Sequence, residues 1–549
     1  MYGIAQKLLS TYEGRDQSDL LSQYSLLKSL FEQGFIDSVD LELAFKTAPK
    51  NSHENVYLFL CYLSQATRQG NLCVSIEDQV IPKPCSLWNN LKDDVEAHLL
   101  NAVKNLPDIP VKHEAHRYYL PKYYQCEKLF IHHFERLIEH QPSLTIPEPD
   151  ITNLKLLPEQ AKAIQIACWN SLSVISGGPG TGKTHAAGVL IQVLWDAFTP
   201  DQKSKARFIL TAPTGKAAIN LQKSFQRVCD SLEGFQTLRA QTLHSLLGIR
   251  PGVRQGRPLS EDVIIVDECS MIDVHMMSQL LSCVKNGARL VLLGDSHQLP
   301  PVEAGSLFTD MIGLLEEVGE LTHCIRVELQ GIRDLSEAIY EGDVDKSLFL
   351  LNSQDRGVTK LSFNSERISQ LLQDIVLYAS ELQPKLKDLS YESIKAYLES
   401  FCLLSPLRRG LFGVDSLNQK IFENLKNDFA RPIMITKNDS RFGLFNGDTG
   451  VLVNGDTAIF LDVEKGLKKI PSILLPNFEY AYCMSVHKSQ GSEFDHVALL
   501  MPQGAEIFGR EVFYTGVTRA RKQVDIWGSD DTLRATIEKR SVRYSGVGK

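Results

Sequence analysis

Ser173 to Thr184, SVISGGPGTGKT, is the stretch whose reading decides the fold. A short apolar run enters a glycine-rich loop that closes on a lysine and a hydroxyl. Gly177, four residues, then Gly182-Lys183-Thr184 is the spacing of a Walker A phosphate loop, in which consecutive backbone N–H groups wrap a polyphosphate. The residues behind it, HAAGVLIQVL, favour a helix, so Gly177, Gly178, Pro179, Gly180, Thr181 and Gly182 lead into a helix N-terminus whose partial positive charge suits phosphate. Lys183 is expected to reach the β- and γ-phosphates of ATP, and the Thr184 hydroxyl to ligate Mg2+.

Outward from the loop, the same strand-then-turn pattern recurs. Arg207 to Leu210 runs into TAPTGKAA, where Thr214, Gly215 and Lys216 offer hydroxyl, amide and ammonium groups to a sugar-phosphate backbone. Thr242 and His244 form a second candidate of this kind. Val263 to Val266 is a continuous β-branched run, as expected of a strand buried on both faces, and it delivers Asp267-Glu268 at its tip. Asp267 is expected to hold the magnesium hydration shell, and Glu268 to orient and deprotonate the attacking water. A fourth strand, Arg289 to Leu293, ends in GDSHQLPP, with Gln298 placed to sense the γ-phosphate. Four such units predict a doubly wound parallel sheet of the α/β class. Gln160, in LPEQ ahead of the loop, can pair with an adenine edge through both faces of its amide.

The whole chain frames this reading. At 549 residues it is too long for one core. Its 43% hydrophobic and 23% charged residues are those of an ordinary globular protein, and a net charge of −8 confines any nucleic-acid binding to a local basic channel. No charged-then-apolar leader opens the sequence and no apolar run approaches a membrane span, so a cytoplasmic location without membrane contact is expected. The eleven cysteines form no Cys-x-x-Cys pair, and His113, His116, His132 and His133 lack zinc-ligand spacing, so buried thiols and scattered imidazoles are expected instead of a metal site. Residues 1–149 read as a helical accessory or docking domain, from segments such as LLSQYSLLKSLFEQGF and YYQCEKLFIHHFERLI, ending near IPEPD at 146–150. Residues 150–330 hold the phosphate-loop unit, with room for only a short hairpin at about 249–260. Residues 331–549 make a second unit, with an all-β insertion at about 431–478 marked by alternating segments and Asn-Gly turns.

The set LPEQ, GGPGTGKT, TAPTGKAA, VDECSMID and GDSHQLPPVEAG resembles the ordered motifs of superfamily 1 helicases, and more narrowly the RecD family, the alpha subunit of exodeoxyribonuclease V. LLSPLRRGLFGVDSLN at 403–418, NDSRFGLFNGDTG at 438–450, SVHKSQGSEFDHVALLMP at 485–502 and YTGVTRARKQ at 514–523 extend the likeness, which covers about residues 155–545. The resemblance implies two RecA-like lobes sharing one ATP, a small SH3-like β insertion, and single-stranded DNA crossing both lobes. Arg519 matches the family's arginine finger and Arg326, after Ile325 where the family often has an aromatic, the second one; such fingers are worth roughly 10³ to 10⁵ in rate. Glu493 resembles the residue that approaches the ribose. His487 and Ser489 suit a DNA backbone, and Asn438, Phe445 and Asn446 are the insertion's DNA candidates.

The family likeness further implies 5′-to-3′ movement, with RecB-like and RecC-like subunits handling the other strand and the nuclease chemistry at duplex ends. No Asp…Glu-x-Lys nuclease set stands in this chain, so it is read as a motor. A stand-alone helicase of the same type and a non-translocating ATP- and DNA-binding switch are the competing readings.

Overall fold

The computed structural model describes residues 21–547 apart from 79, 85–87, 89–93, 150, 232–237, 251, 254, 324–329, 354–356, 362–364, 387, 426–428, 440, 463–465 and 476. The N-terminal region is mainly helical, with helices such as Glu54–Arg68 and Pro121–Glu139. It also contains a four-stranded antiparallel sheet in the order β2-β1-β4-β3: β1 (Val74–Glu77), β2 (Val80–Lys83), β3 (Lys112–Glu114) and β4 (Arg117–Tyr119). These strands are three or four residues long, too short for alternation to announce them in sequence.

The phosphate-loop segment builds a six-stranded, wholly parallel sheet in the order β10-β5-β9-β8-β6-β7. Its strands are β5 (Leu172–Gly177), β6 (Phe208–Ala212), β7 (Ala240–Thr242), β8 (Val263–Val266), β9 (Arg289–Gly294) and β10 (Gly319–Leu321). Every residue of β5, β8 and β9 is buried, because helices cover both faces; this is why these strands read as unbroken apolar runs. The helices Pro158–Trp169 and Lys183–Ala197 pack with Ile175, Ile265 and Leu293 on one side, and Val274–Cys283 packs with Ile264 and Leu292 on the other.

A second parallel sheet, ordered β11-β20-β19-β12-β18, comprises β11 (Val358–Leu361), β12 (Phe401–Ser405), β18 (Cys483–Ser485), β19 (Phe494–Met501) and β20 (Ala520–Gly528). Between β12 and β18 the chain leaves to form an antiparallel sheet, β16-β15-β14-β13-β17, from β13 (Ala430–Ile435), β14 (Thr449–Val453), β15 (Thr457–Asp462), β16 (Gly466–Pro471) and β17 (Phe478–Tyr480). The expected all-β insertion is thus a five-stranded sheet. The run Tyr480 to Met484 is split between two sheets. Tyr480 closes the antiparallel one, the Ala481 N–H donates to the Pro432 carbonyl at 2.9 Å, and Cys483 opens the strand that pairs with β12.

Candidate functional site at the cleft between two lobes

All strands of the first sheet point their C-terminal ends the same way, so their loops meet at one edge, where ligands of open α/β sheets bind. The phosphate loop follows β5, and Gly180 and Gly182 hold φ of 76° and 87°, left-handed values that a side chain would strain. Lys183 folds its ammonium into the loop, donating to the Gly177 carbonyl at 2.5 Å and the Gly178 carbonyl at 3.0 Å. The Thr181 hydroxyl donates to Gly178 at 2.9 Å, and Thr184 stands half-buried behind it.

Beside the loop, Asp267 leaves β8 with its N–H bonded to the Thr211 carbonyl at 2.9 Å, and its Oδ1 accepts from the Glu268 N–H at 2.8 Å. Glu268 adopts φ 54°, an uncommon backbone for a residue other than glycine. Burial pushes the Glu268 carboxyl up to about 7, with Asp267 adding to the rise and Arg519 and Lys183 opposing it. Burial raises Asp267 too, against the pull of Lys183. Two such carboxylates at the mouth of a phosphate loop are a poor arrangement without a cation and a good one with it, so the donor set suits Mg2+. A carboxylate poised near neutrality also suits a general base.

The loop after β9 reaches the second lobe. Asp295, 1% exposed, accepts the His297 N–H on Oδ1 at 3.0 Å and the Gln298 side-chain amide on Oδ2 at 3.1 Å. Gln298 Oε1 is buried with no hydrogen-bond partner among the described residues, an acceptor that a water or hydroxyl in the cleft would satisfy. Leu299 is packed into the second lobe's core; its N–H donates to the Thr515 hydroxyl at 2.9 Å and its carbonyl accepts from the Gln490 side chain at 3.1 Å. Arg519, 3% exposed, is fixed by donating to the Thr515 carbonyl at 3.1 Å and the Ser492 carbonyl at 3.3 Å.

One cleft of about 1480 Å3 joins these parts: Lys183, Thr184, Asp267, Glu268 and Gln298 from the first lobe and Glu493 and Arg519 from the second all line it. The same cleft runs on past Gly215, Lys216 and Thr242 to Phe445 of the insertion. Phe445 crosses to the first lobe so closely that a Cβ on Gly215 would stand 2.8 Å from its ring. Further basic side chains, Lys223, Arg239, Lys395, Lys468 and Arg521, line it as well, interspersed with Glu399, Asp462 and Glu493; Arg521 pairs with Glu399 at 2.7 Å and Lys468 with Asp462 at 3.3 Å. The Thr214 hydroxyl caps the helix Gly215–Ser231 by accepting from Ala217, and that of Thr242 caps Leu243–Leu247 by accepting from Ser245, each at 3.2 Å. Asn438 Oδ1 accepts the Asn446 N–H at 2.7 Å and so shapes the loop bearing Phe445; both residues are exposed, as is His244, while His487 is half-buried.

Two expected contacts are placed otherwise. Gln160 is 2% exposed, its Oε1 accepting from the Leu157 N–H and its amide donating to the Thr181 carbonyl, each at 3.2 Å, so here it braces the phosphate loop from beneath and presents no edge to adenine. Ser489 is fully buried and donates its hydroxyl to the Val486 carbonyl at 2.7 Å, closing a turn that turns it away from any DNA backbone. Arg326 lies outside the described residues. Asp295, Tyr514 and Thr515 escape a reading of the sequence, although they stand in the stretches GDSHQLPP and YTGVTRAR; their signal is adjacency to Gln298 and Arg519, and only the packing of the lobes gives it meaning.

Comparison with known proteins agrees with this architecture. Residues 155–359 match the family model of an AAA domain and residues 480–526 that of a UvrD-like helicase C-terminal domain. The RecBCD enzyme subunit RecD of Mycolicibacterium smegmatis is 32% identical over 90% of this chain and 93% of its own, and that of Haemophilus influenzae 29% over 89% and 88%. The ATP-dependent RecD2 DNA helicase of Deinococcus radiodurans is 28% identical over 78% of this chain and 58% of its own. With a phosphate loop, a second lobe that completes its cleft, and this extent of identity, the chain belongs to the RecD family and is an ATP-dependent DNA helicase.

Proposed function

We propose that this chain is a 5′-to-3′ single-stranded DNA translocase, the motor subunit of a RecBCD-type exodeoxyribonuclease V that acts at duplex ends in double-strand-break repair and recombination, with RecB-like and RecC-like partners. The observation that carries the translocase reading is the single cleft, lined at one part by Lys183, Glu268, Gln298 and Arg519 and at another by Lys216, Lys223 and Phe445, with walls from both lobes and the insertion. Lys183 neutralises the β- and γ-phosphates of ATP. Thr184 and Asp267 would hold Mg2+, which when bound spreads phosphate charge and orients the terminal group. Glu268 orients the attacking water and accepts its proton, Gln298 senses the γ-phosphate, and Arg519 supplies positive charge from the opposite lobe. Because Leu299, on the loop after β9, is bonded across the lobes to Thr515, whose carbonyl holds the Arg519 guanidinium, loss of phosphate charge loosens the closed cleft, and alternating grip on DNA turns each cycle into a step.

The subunit assignment is supported by likeness to RecD subunits along nearly the whole chain and by the shortness of the segment between the helix Leu243–Leu247 and β8, where the described residues hold no strand and only an isolated Arg250–Val253 bridge. Likeness to a RecD2 helicase keeps the stand-alone reading as the alternative. Translocation on single strands blocked at either end tests polarity: release of a block from the 3′ end alone is expected, and release from the 5′ end overturns it. Unwinding by the purified chain alone would favour the stand-alone helicase, whereas unwinding only with two large co-purifying subunits supports the subunit reading.

A further inference from the structure

We propose that Tyr514 is a positioning residue through which the second lobe reads the phosphate loop and the Gln298 loop at once. It lies on the helix Arg510–Val517, five residues before Arg519, and is 5% exposed. Its hydroxyl donates to Asp295 Oδ2 at 3.2 Å, the oxygen that also receives the Gln298 amide at 3.1 Å. The same hydroxyl stands where the phosphate loop passes: a Cβ built on Gly178 would be 3.1 Å from it, so Gly178 is the residue that lets a side chain of the other lobe press on the loop. One phenol therefore touches two loops of the first lobe that border the cleft.

The environment holds that phenol in a single state. Its ring meets His297 edge-on at 5.9 Å, and His297 in turn lies against Tyr340. Burial and the neighbouring Asp295 carboxylate push its ionisation well up, with Arg519 opposing, so it remains a neutral donor. The next residue, Thr515, accepts the Leu299 N–H and offers its carbonyl to the Arg519 guanidinium. Tyr514 and Thr515 are adjacent on one short helix and both are bonded to the loop after β9, so a shift of that loop that keeps these bonds carries Tyr514, Thr515 and the Arg519 held by Thr515 with it. Gln298 Oε1, buried and without a partner among the described residues, is the atom whose engagement such a shift would register.

This inference rests on the nucleotide site placed above, and Tyr514→Phe in the full chain tests it by deleting the hydroxyl and keeping the ring. The readouts are kcat and KM for ATP with saturating single-stranded DNA, nucleotides moved per ATP, and Tm. The expected result is a fall of about tenfold in DNA-stimulated kcat, with KM for ATP changed less than about twofold and Tm within about 2 °C. Asp295→Asn should lower kcat similarly, and the double variant should be no slower than the slower single one. A DNA-stimulated kcat within about twofold of the parent, a loss that tracks a large drop in Tm, or strictly additive losses would each overturn the proposal. Lys183→Gln separates the two levels: if it is inactive while Tyr514→Phe is normal, only this inference fails, whereas an active Lys183→Gln removes the nucleotide site itself.

Discussion

Lys183 shows how much a single residue carries. Among the described residues its ammonium is hydrogen-bonded only to carbonyls of its own loop, Gly177 and Gly178, so no other element is held by its hydrogen bonds. Lys183→Gln is therefore expected to fold normally and lose ATP turnover by roughly 10³-fold or more, checked by steady-state hydrolysis alongside thermal unfolding. Arg519 differs, because it is buried and its guanidinium donates to Thr515 and Ser492 within its own lobe. Arg519→Ala should keep ATP binding and lose turnover by roughly 10³ to 10⁵, with a measurable drop in Tm from the carbonyls left unpaired; equilibrium binding of a fluorescent ATP analogue beside turnover distinguishes the two effects.

At the level of elements, the insertion is joined to the first lobe by the loop that carries Phe445. The Phe445 N–H donates to Asp448 at 2.8 Å and the ring covers Gly215 at the start of a helix of the other lobe. Gly215→Ala would push a methyl against atoms near the root of the Phe445 side chain, which cannot rotate far enough to escape, so a cost of about 1–3 kcal/mol and a Tm lowered by a few degrees are expected. The same change in a Phe445→Ala background should be nearly silent, and thermal unfolding of the four proteins of the cycle checks it. This contact could not be read from either motif alone, since TAPTGKAA and RFGLFNGD are over two hundred residues apart and neither carries a sign of the other.

Across the whole molecule, the last described residues tie the second lobe back to the N-terminal region. The Leu72 N–H donates to the Tyr544 carbonyl and the Tyr544 N–H to Asn71, each at 2.8 Å, while the buried Glu127 accepts from the Gly546 N–H at 2.8 Å and the Tyr119 hydroxyl at 3.0 Å. Burial pushes the Glu127 carboxyl above its ordinary 4.5, although Gly546, Tyr119, Lys128 and Arg117 oppose the rise. A carboxyl whose folded pKa is raised contributes stability that is complete below the unfolded value and is lost as pH rises through the folded one. The Tm of the parent minus that of Glu127→Gln should therefore fall as pH is raised from about 5 to 8, and a difference that grows over that range would contradict it.

Much of the site is legible in the residues because its chemistry is local. A phosphate loop needs Gly180 and Gly182 for left-handed turns and Lys183 for charge, and a buried strand such as β8 needs four apolar residues before it can present Asp267 and Glu268. These requirements act over a few consecutive positions, so the parallel sheet, the nucleotide loop and the acidic pair can be read from the order of the residues. The short N-terminal strands, the division of Phe478–Ser485 between two sheets, the inward turn of Gln160 and Ser489, and the bridge from Tyr514 to Asp295 and Gly178 cannot. Each of these depends on which surfaces meet after the chain has packed. Sequence alone determined that a polyphosphate loop and an acidic pair stand at the centre of this protein; the tertiary structure decided how the second lobe meets the loop after β9 beside them, because the Tyr514–Asp295 contact exists only where two distant segments are brought within hydrogen-bond reach.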